Sequence, residues 1–152
     1  MTTSLPPVAR LLTLACPPNT AFDVFTTQTG QWWPNGFTAS GARLADVVIE
    51  AEEGGRVYEV NDEGDTYDWG TVTVWEPKRR VVQSWTLGLD RSSVTEVELR
   101  FDGTADGCEV SFEHRGWRAG QTRDRAKFDA AGGWDVILDA YRSYAEKAAP
   151  SR

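Results

Sequence analysis

The sequence is short of the residues that most metal and nucleophile chemistry needs, with one histidine, two cysteines and one methionine in 152 residues. With His114 as the sole imidazole, a zinc site has too few ligands to draw on, and no metal is expected. Cys16 and Cys108 stand far apart, and neither has a second cysteine beside it to make a metal or redox pair. Free thiols are expected, the alternative being that one closes on the other if the first and last strands are neighbours. No apolar run approaches the ~18 residues of a membrane-spanning helix. The opening Met-Thr-Thr-Ser-Leu-Pro-Pro has neither the basic flank nor the apolar stretch of a secretory leader. A cytoplasmic location without membrane insertion is the expectation. Acidic residues outnumber basic ones, 23 to 16, for a formal charge of −7. That balance argues against nucleic acid, whose binding rests on cations neutralising phosphates, and against anionic lipid. No glycine-rich phosphate loop, zinc-protease motif or serine elbow is present. The acidic turn Asp62-Glu63-Gly64-Asp65 lacks the spacing of a calcium loop. No cofactor is implied.

What the chain has in quantity is strict alternation and tryptophan. Most of Val47 to Arg115 alternates with a period of two, broken by Gly, Asp, Asn and Pro. The clearest pair is Thr95, Val97, Leu99 and Phe101 against Cys108, Val110, Phe112 and His114, two sets that should face the same interior. Before this run, Val8 to Ala15 reads as a first strand. A short helix through Ala21, Phe22 and Phe25 follows, with a second helix or turn at Gln31 to Gly36. Phe37 to Asp46 reads as loop, as does the polar stretch Arg118 to Arg125. From Ala130, the residues Ala130, Ala131, Trp134, Ile137, Leu138, Tyr141, Ala145 and Ala148 recur at helical spacing. Gly132-Gly133 costs roughly 1 kcal/mol per glycine inside a helix, so a kink or a start just after it is expected.

An amphipathic helix that follows antiparallel strands buries its stripe on their sheet. The expected class is α+β with a helix-grip fold. A curved antiparallel sheet of about seven strands wraps a long C-terminal helix, with two short helices after the first strand. One domain is expected over 1–152, with a core of about 8–148. A cavity between helix and sheet is where a ligand would sit.

Several segments resemble one superfamily. Cys16-Pro17-Pro18-Asn19-Thr20-Ala21-Phe22-Asp23-Val24-Phe25 is similar to the opening of its first helix, and Trp32-Trp33-Pro34 to the aromatic pair after it. Glu53-Gly54-Gly55-Arg56-Val57, Trp69-Gly70-Thr71-Val72, Glu76-Pro77-Lys78-Arg79-Arg80-Val81-Val82-Gln83-Ser84-Trp85 and Gly133-Trp134 continue the pattern. The chain resembles the START and Bet v-like (SRPBCC) superfamily, most closely its branch named after the activator of heat-shock-protein-90 ATPase. The resemblance implies the helix-grip fold. Functionally it spans lipid carriers, hormone receptors, cyclases and chaperone regulators, so activity has to be argued from the site. The named activators carry a further domain ahead of this one, for which this sequence has no room.

Seven tryptophans are candidates for an aromatic-lined pocket and, equally, for core filling. Trp32, Trp33 and Trp117 are expected near the cavity mouth. Trp69, Trp85, Phe112, Trp134, Leu138 and Tyr141 are expected to line it. His114 falls on the interior face, where it either hydrogen-bonds a ligand, acts as acid or base, or is a satisfied structural group. Gln83 needs partners if its face is inward. Glu59 faces inward if Val57 does, and outward if Tyr58 and Arg56 are inside. The leading expectation is a non-catalytic carrier of a small hydrophobic or aromatic molecule, such as a lipid. An aromatase- or cyclase-like enzyme using His114 is one alternative. The other is a module acting on a protein partner such as a chaperone, as in a stress response, through an exposed patch of Trp32, Trp33 and Trp117.

Overall fold

In the computed structural model, which describes residues 4–89 and 94–148, seven antiparallel strands form one sheet in the order β1-β7-β6-β5-β4-β3-β2. The strands are β1 (Val8–Leu14), β2 (Leu44–Ile49), β3 (Arg56–Asn61), β4 (Thr66–Glu76), β5 (Arg80–Trp85), β6 (Thr95–Thr104) and β7 (Gly107–Arg115). Helices α1 (Pro18–Thr27) and α2 (Thr29–Trp32) follow β1, while α3 (Thr122–Asp129) and α4 (Trp134–Lys147) follow β7. This is the helix-grip architecture expected from the sequence. Residues 1–3, part of the N-terminal stretch in which no leader was expected, lie outside the described residues. No helix among the described residues is long and apolar enough to cross a membrane.

Alternation sets the faces. On β6 and β7 the residues Thr95, Val97, Leu99, Phe101, Cys108, Val110, Phe112 and His114 are all buried. Register breaks at Leu44/Asp46, Val57/Tyr58 and Val72/Val74 curl the sheet, because an extra residue on one strand bends it. Gly70 sits in the middle of this bend. A Cβ there would lie 1.8 Å from the Ser84 carbonyl oxygen, so only glycine lets β4 close on β5. Strands β1 and β7 are neighbours, and Cys16 and Cys108 come together there as buried free thiols. Burial, with Cys16 beside it, pushes the Cys108 thiol up to about 12.

The outer face carries one exception to polar-outside. Glu98 is buried although its strand neighbours Glu96 and Arg100 point to solvent with it. Its carboxylate accepts from Arg80 and Arg100 at 2.6 Å each and from Arg115. Burial opposes the charge, but the three guanidiniums outweigh it and hold the carboxyl near 2.

The C-terminal helix differs from its expected extent. It starts at Trp134, and Ala130 and Ala131, counted on its stripe, are exposed in the corner before it. The stretch expected to be loop runs into α3 at Thr122, and Asp124 lies in the first turn of that helix. Periodicity could not reveal α3, since none of its residues is buried and Phe128 is its one large apolar side chain. Tertiary contacts hold it: Arg125 donates to the carbonyls of Pro6 and Pro7, and Arg10 reaches from β1 to the corner. Arg10 donates to the Asp129 carbonyl at 2.8 Å and pairs with the Asp129 and Asp135 carboxylates. Within α4, Trp134, Ile137, Leu138, Tyr141 and Ala145 face the sheet, and the Tyr141 hydroxyl donates to the Ala21 carbonyl at 2.6 Å.

Candidate functional site

The corner between α3 and α4 faces two loops, and a cleft of about 560 Å³ lies between them. The segment after α2 supplies Trp33, Phe37, Thr38 and Ala39, and the end of β5 supplies Trp85, Leu87 and Gly88. The corner itself contributes Lys127, Phe128, Gly132, Gly133 and Ile137. Among the described lining residues Lys127 alone is ionisable. The floor is aromatic: Trp33 stands 5.9 Å from Trp85 and 4.7 Å from Trp69, while Trp85 packs 5.1 Å from Trp134, centroid to centroid. Such pairs add ~0.5–1.5 kcal/mol each beyond their burial.

Two polar contacts shape the walls. Sequence left the facing of Glu59 open, and the structure puts it inside with Val57. Its Oε1 accepts the Trp69 indole N–H and the Ala39 amide at 2.8 Å each, and its Oε2 accepts the Ser40 amide at 2.7 Å. Burial works against the charge, yet these donors win and keep the carboxyl below its usual range. Glu59 therefore pins the loop that carries Thr38 and Ala39. Arg56 and Tyr58 point the other way, the guanidinium 4.2 Å above the ring. On the opposite wall, a Cβ on Gly133 would fall 2.4 Å from the Lys127 carbonyl oxygen, so glycine is required for the corner to close.

Of the side chains that the sequence offered for a ligand, Trp33 and Trp85 line the cleft. Trp69 and Trp134 pack directly behind them. Phe112, Leu138 and Tyr141 are buried deeper, against the sheet and α1. Trp32, Trp33 and Trp117, proposed above as an exposed patch, are 7%, 6% and 0% accessible. The sequence could not show why: each indole N–H finds a main-chain carbonyl, on Val24, Phe37 and His114 respectively, which lets the rings turn inward. Phe37, Leu87, Lys127, Phe128 and Ile137 were missed. Ile137 had a signal in the helical stripe, but the others come from loops or a polar helix where no pattern marks them.

His114 is fully buried and both ring nitrogens are engaged. Nδ1 accepts from the Trp134 indole at 2.9 Å, and Nε2 lies 2.7 Å from the Thr95 hydroxyl. An indole only donates, so Nδ1 is bare and Nε2 carries the proton. Thr95 passes the chain on to the Trp85 carbonyl at 2.9 Å. Burial drives the imidazole down to about 3, leaving it neutral at ordinary pH. The acid-base role weighed for His114 has no free nitrogen to carry it here. Gln83 faces inward, and its Oε1 is buried with no hydrogen-bond partner among the described residues.

Among the described residues, no group of three or more His, Cys, Asp or Glu side chains could hold a metal ion. A smaller hollow of about 280 Å³ on the outer face holds Glu98, Arg100, Glu113 and Arg115, whose charges pair with one another.

The model of the family described as Activator of Hsp90 ATPase homolog 1-like protein matches residues 15–146. No curated protein matches the chain. Among solved structures, protein MLL2253 from Mesorhizobium loti is 18% identical with a TM-score of 0.70, over 94% of this chain and 98% of its own. DynU16, from the dynemicin biosynthetic locus, is 17% identical with a TM-score of 0.71, over 97% of this chain and 50% of its own. An anthrahydroquino-gamma-pyrone synthase, Txn09, is 22% identical with a TM-score of 0.58, over 92% of this chain and 97% of its own. At these identities the likeness is one of fold.

Proposed function

The chain belongs to the Activator of Hsp90 ATPase homolog 1-like family, and from that premise we propose that it holds a small, flat, apolar ligand in the cleft at the head of α4. The reading takes residues 1–152 as a single domain acting through this one site. The observation that carries it is the cleft itself. About 560 Å³ is the size of a small-molecule site, and its walls are aromatic and aliphatic with few polar groups. Planar rings suit a floor made by Trp33 and Trp85. Burying apolar ligand surface is worth roughly 25 cal/mol per Å², less the cost of immobilising the ligand. One relative in fold is named as an anthrahydroquino-gamma-pyrone synthase, a name that states a fused-ring compound, which agrees with this ligand class. No observation favours a chaperone partner or a catalytic role for His114.

The test is thermal shift and tryptophan quenching against fatty acids, sterols, flavonoids and fused aromatics. A ligand at about 100 times its dissociation constant adds ~2.7 kcal/mol of stability, several degrees for a domain of this size. Ala39→Trp, which places an indole in the cleft from an exposed wall position, should abolish the response. A flat panel, or a response untouched by Ala39→Trp, would sink the reading.

A further inference from the structure

We propose that the ligand is an acid: a planar apolar body carrying one anionic group that pairs with Lys127 at the rim. This rests on the ligand reading above and specifies its chemical class. Lys127 is the one ionisable side chain among the described residues lining the cleft. It forms no ion pair with any described residue, although the chain carries an excess of carboxylates. The nearby acids are otherwise placed. Asp129 is held by Arg10 and Arg125, and Asp135 by Arg10. Asp124, one turn before Lys127, makes no ion pair with it. Lys127 is thus an exposed, unpaired cation among the lining residues, and the ring of the adjacent Phe128 continues inward against His114, Trp117 and Trp134 at centroid distances of 5.0–6.0 Å. An apolar cleft with one cation at its edge favours an amphipathic anion, ring inward and charge outward. An amine of the same shape would meet Lys127 with like charge. Because the whole protein is acidic, long-range attraction does not favour an anion, so any preference has to come from this local pair.

A matched pair of probes separates ring from charge. N-phenyl-1-naphthylamine is neutral, and 1-anilinonaphthalene-8-sulfonate is the same ring system with a sulfonate added. Both are titrated by fluorescence against wild type, Lys127→Gln, Lys127→Glu and, as a control cation elsewhere, Lys147→Gln. The ratio of sulfonate to neutral-probe affinity should fall about fivefold in Lys127→Gln, the scale of a partly exposed ion pair. It should fall further in Lys127→Glu and stay unchanged in Lys147→Gln, the ratio cancelling any change in binding of the shared ring system. A ratio that does not move with residue 127 overturns the acid proposal and leaves the ligand reading standing. If neither probe binds, or if Ala39→Trp fails to displace them, the ligand reading itself fails and the acid proposal goes with it.

Discussion

The Trp134 indole N–H donates to Nδ1 of His114 at 2.9 Å, joining the first residue of α4 to the last inward position of β7. This bond sets the imidazole tautomer and aims Trp134 at Trp85, which forms part of the cleft floor. The sole histidine is therefore a joint between helix and sheet, and that has a measurable consequence.

Acid should weaken the protein before its carboxylates titrate. The folded pKa of His114 lies near 3, below its ordinary 6.5, so under pH 6.5 the unfolded chain takes up a proton that the native state refuses. Stability is then lost as pH falls, at up to about 1.4 kcal/mol per pH unit. Glu98, lowered from 4.5 to about 2, adds its own loss below pH 4.5. Denaturant melts between pH 6.5 and 4.5 isolate the histidine's share. His114→Gln should be less stable at neutral pH and show a flattened slope in that window. Equal slopes for the two proteins would show that His114 is not held neutral.

Glu59→Gln should loosen the 38–40 wall without unfolding the sheet. Both carboxylate oxygens accept N–H groups, whereas an amide offers one oxygen and turns a donor toward the other partner. The expected cost is about 1–3 kcal/mol, with hydrogen-exchange protection lost first at the Ala39 and Ser40 amides. Acid should act the same way. Because the folded pKa is lowered, the anchoring is present above the ordinary carboxylate range and is lost as pH falls through the folded value. Unchanged exchange at those amides in Glu59→Gln would show that the wall does not depend on this charge.

Adjacent glycines should behave differently on substitution. A Cβ on Gly133 meets the carbonyl oxygens of Lys127 and Phe128 at 2.4 and 2.5 Å, while one on Gly132 meets nothing within 4 Å. Gly133→Ala should destabilise by about 1–3 kcal/mol, the scale of overpacking, and lower probe affinity by displacing the corner. Gly132→Ala should stay within ~0.5 kcal/mol of wild type. Circular dichroism melts and the two naphthalene probes measure both effects. Matching behaviour of the two variants would rule out a tightly closed corner.

The architecture was legible because burial and strand pleat impose a period that one sequence can display. Val97, Leu99 and Phe101 against Val110, Phe112 and His114 announced two strands and a shared inside, and Trp134, Ile137, Leu138 and Tyr141 announced the helix laid on them. The family resemblance followed from residues in the same order. What the pattern could not carry was anything decided between distant segments. Helix α3 has no apolar face and depends on Arg10, more than a hundred residues away, so its sequence read as loop. The inward turn of Trp32, Trp33 and Trp117 depends on which carbonyls their indoles reach. The facing of Glu59 depends on amides twenty residues earlier. The cleft lies where these separately placed parts meet, so its lining was settled by tertiary packing, while the sequence alone determined the sheet, the helix and the family they build.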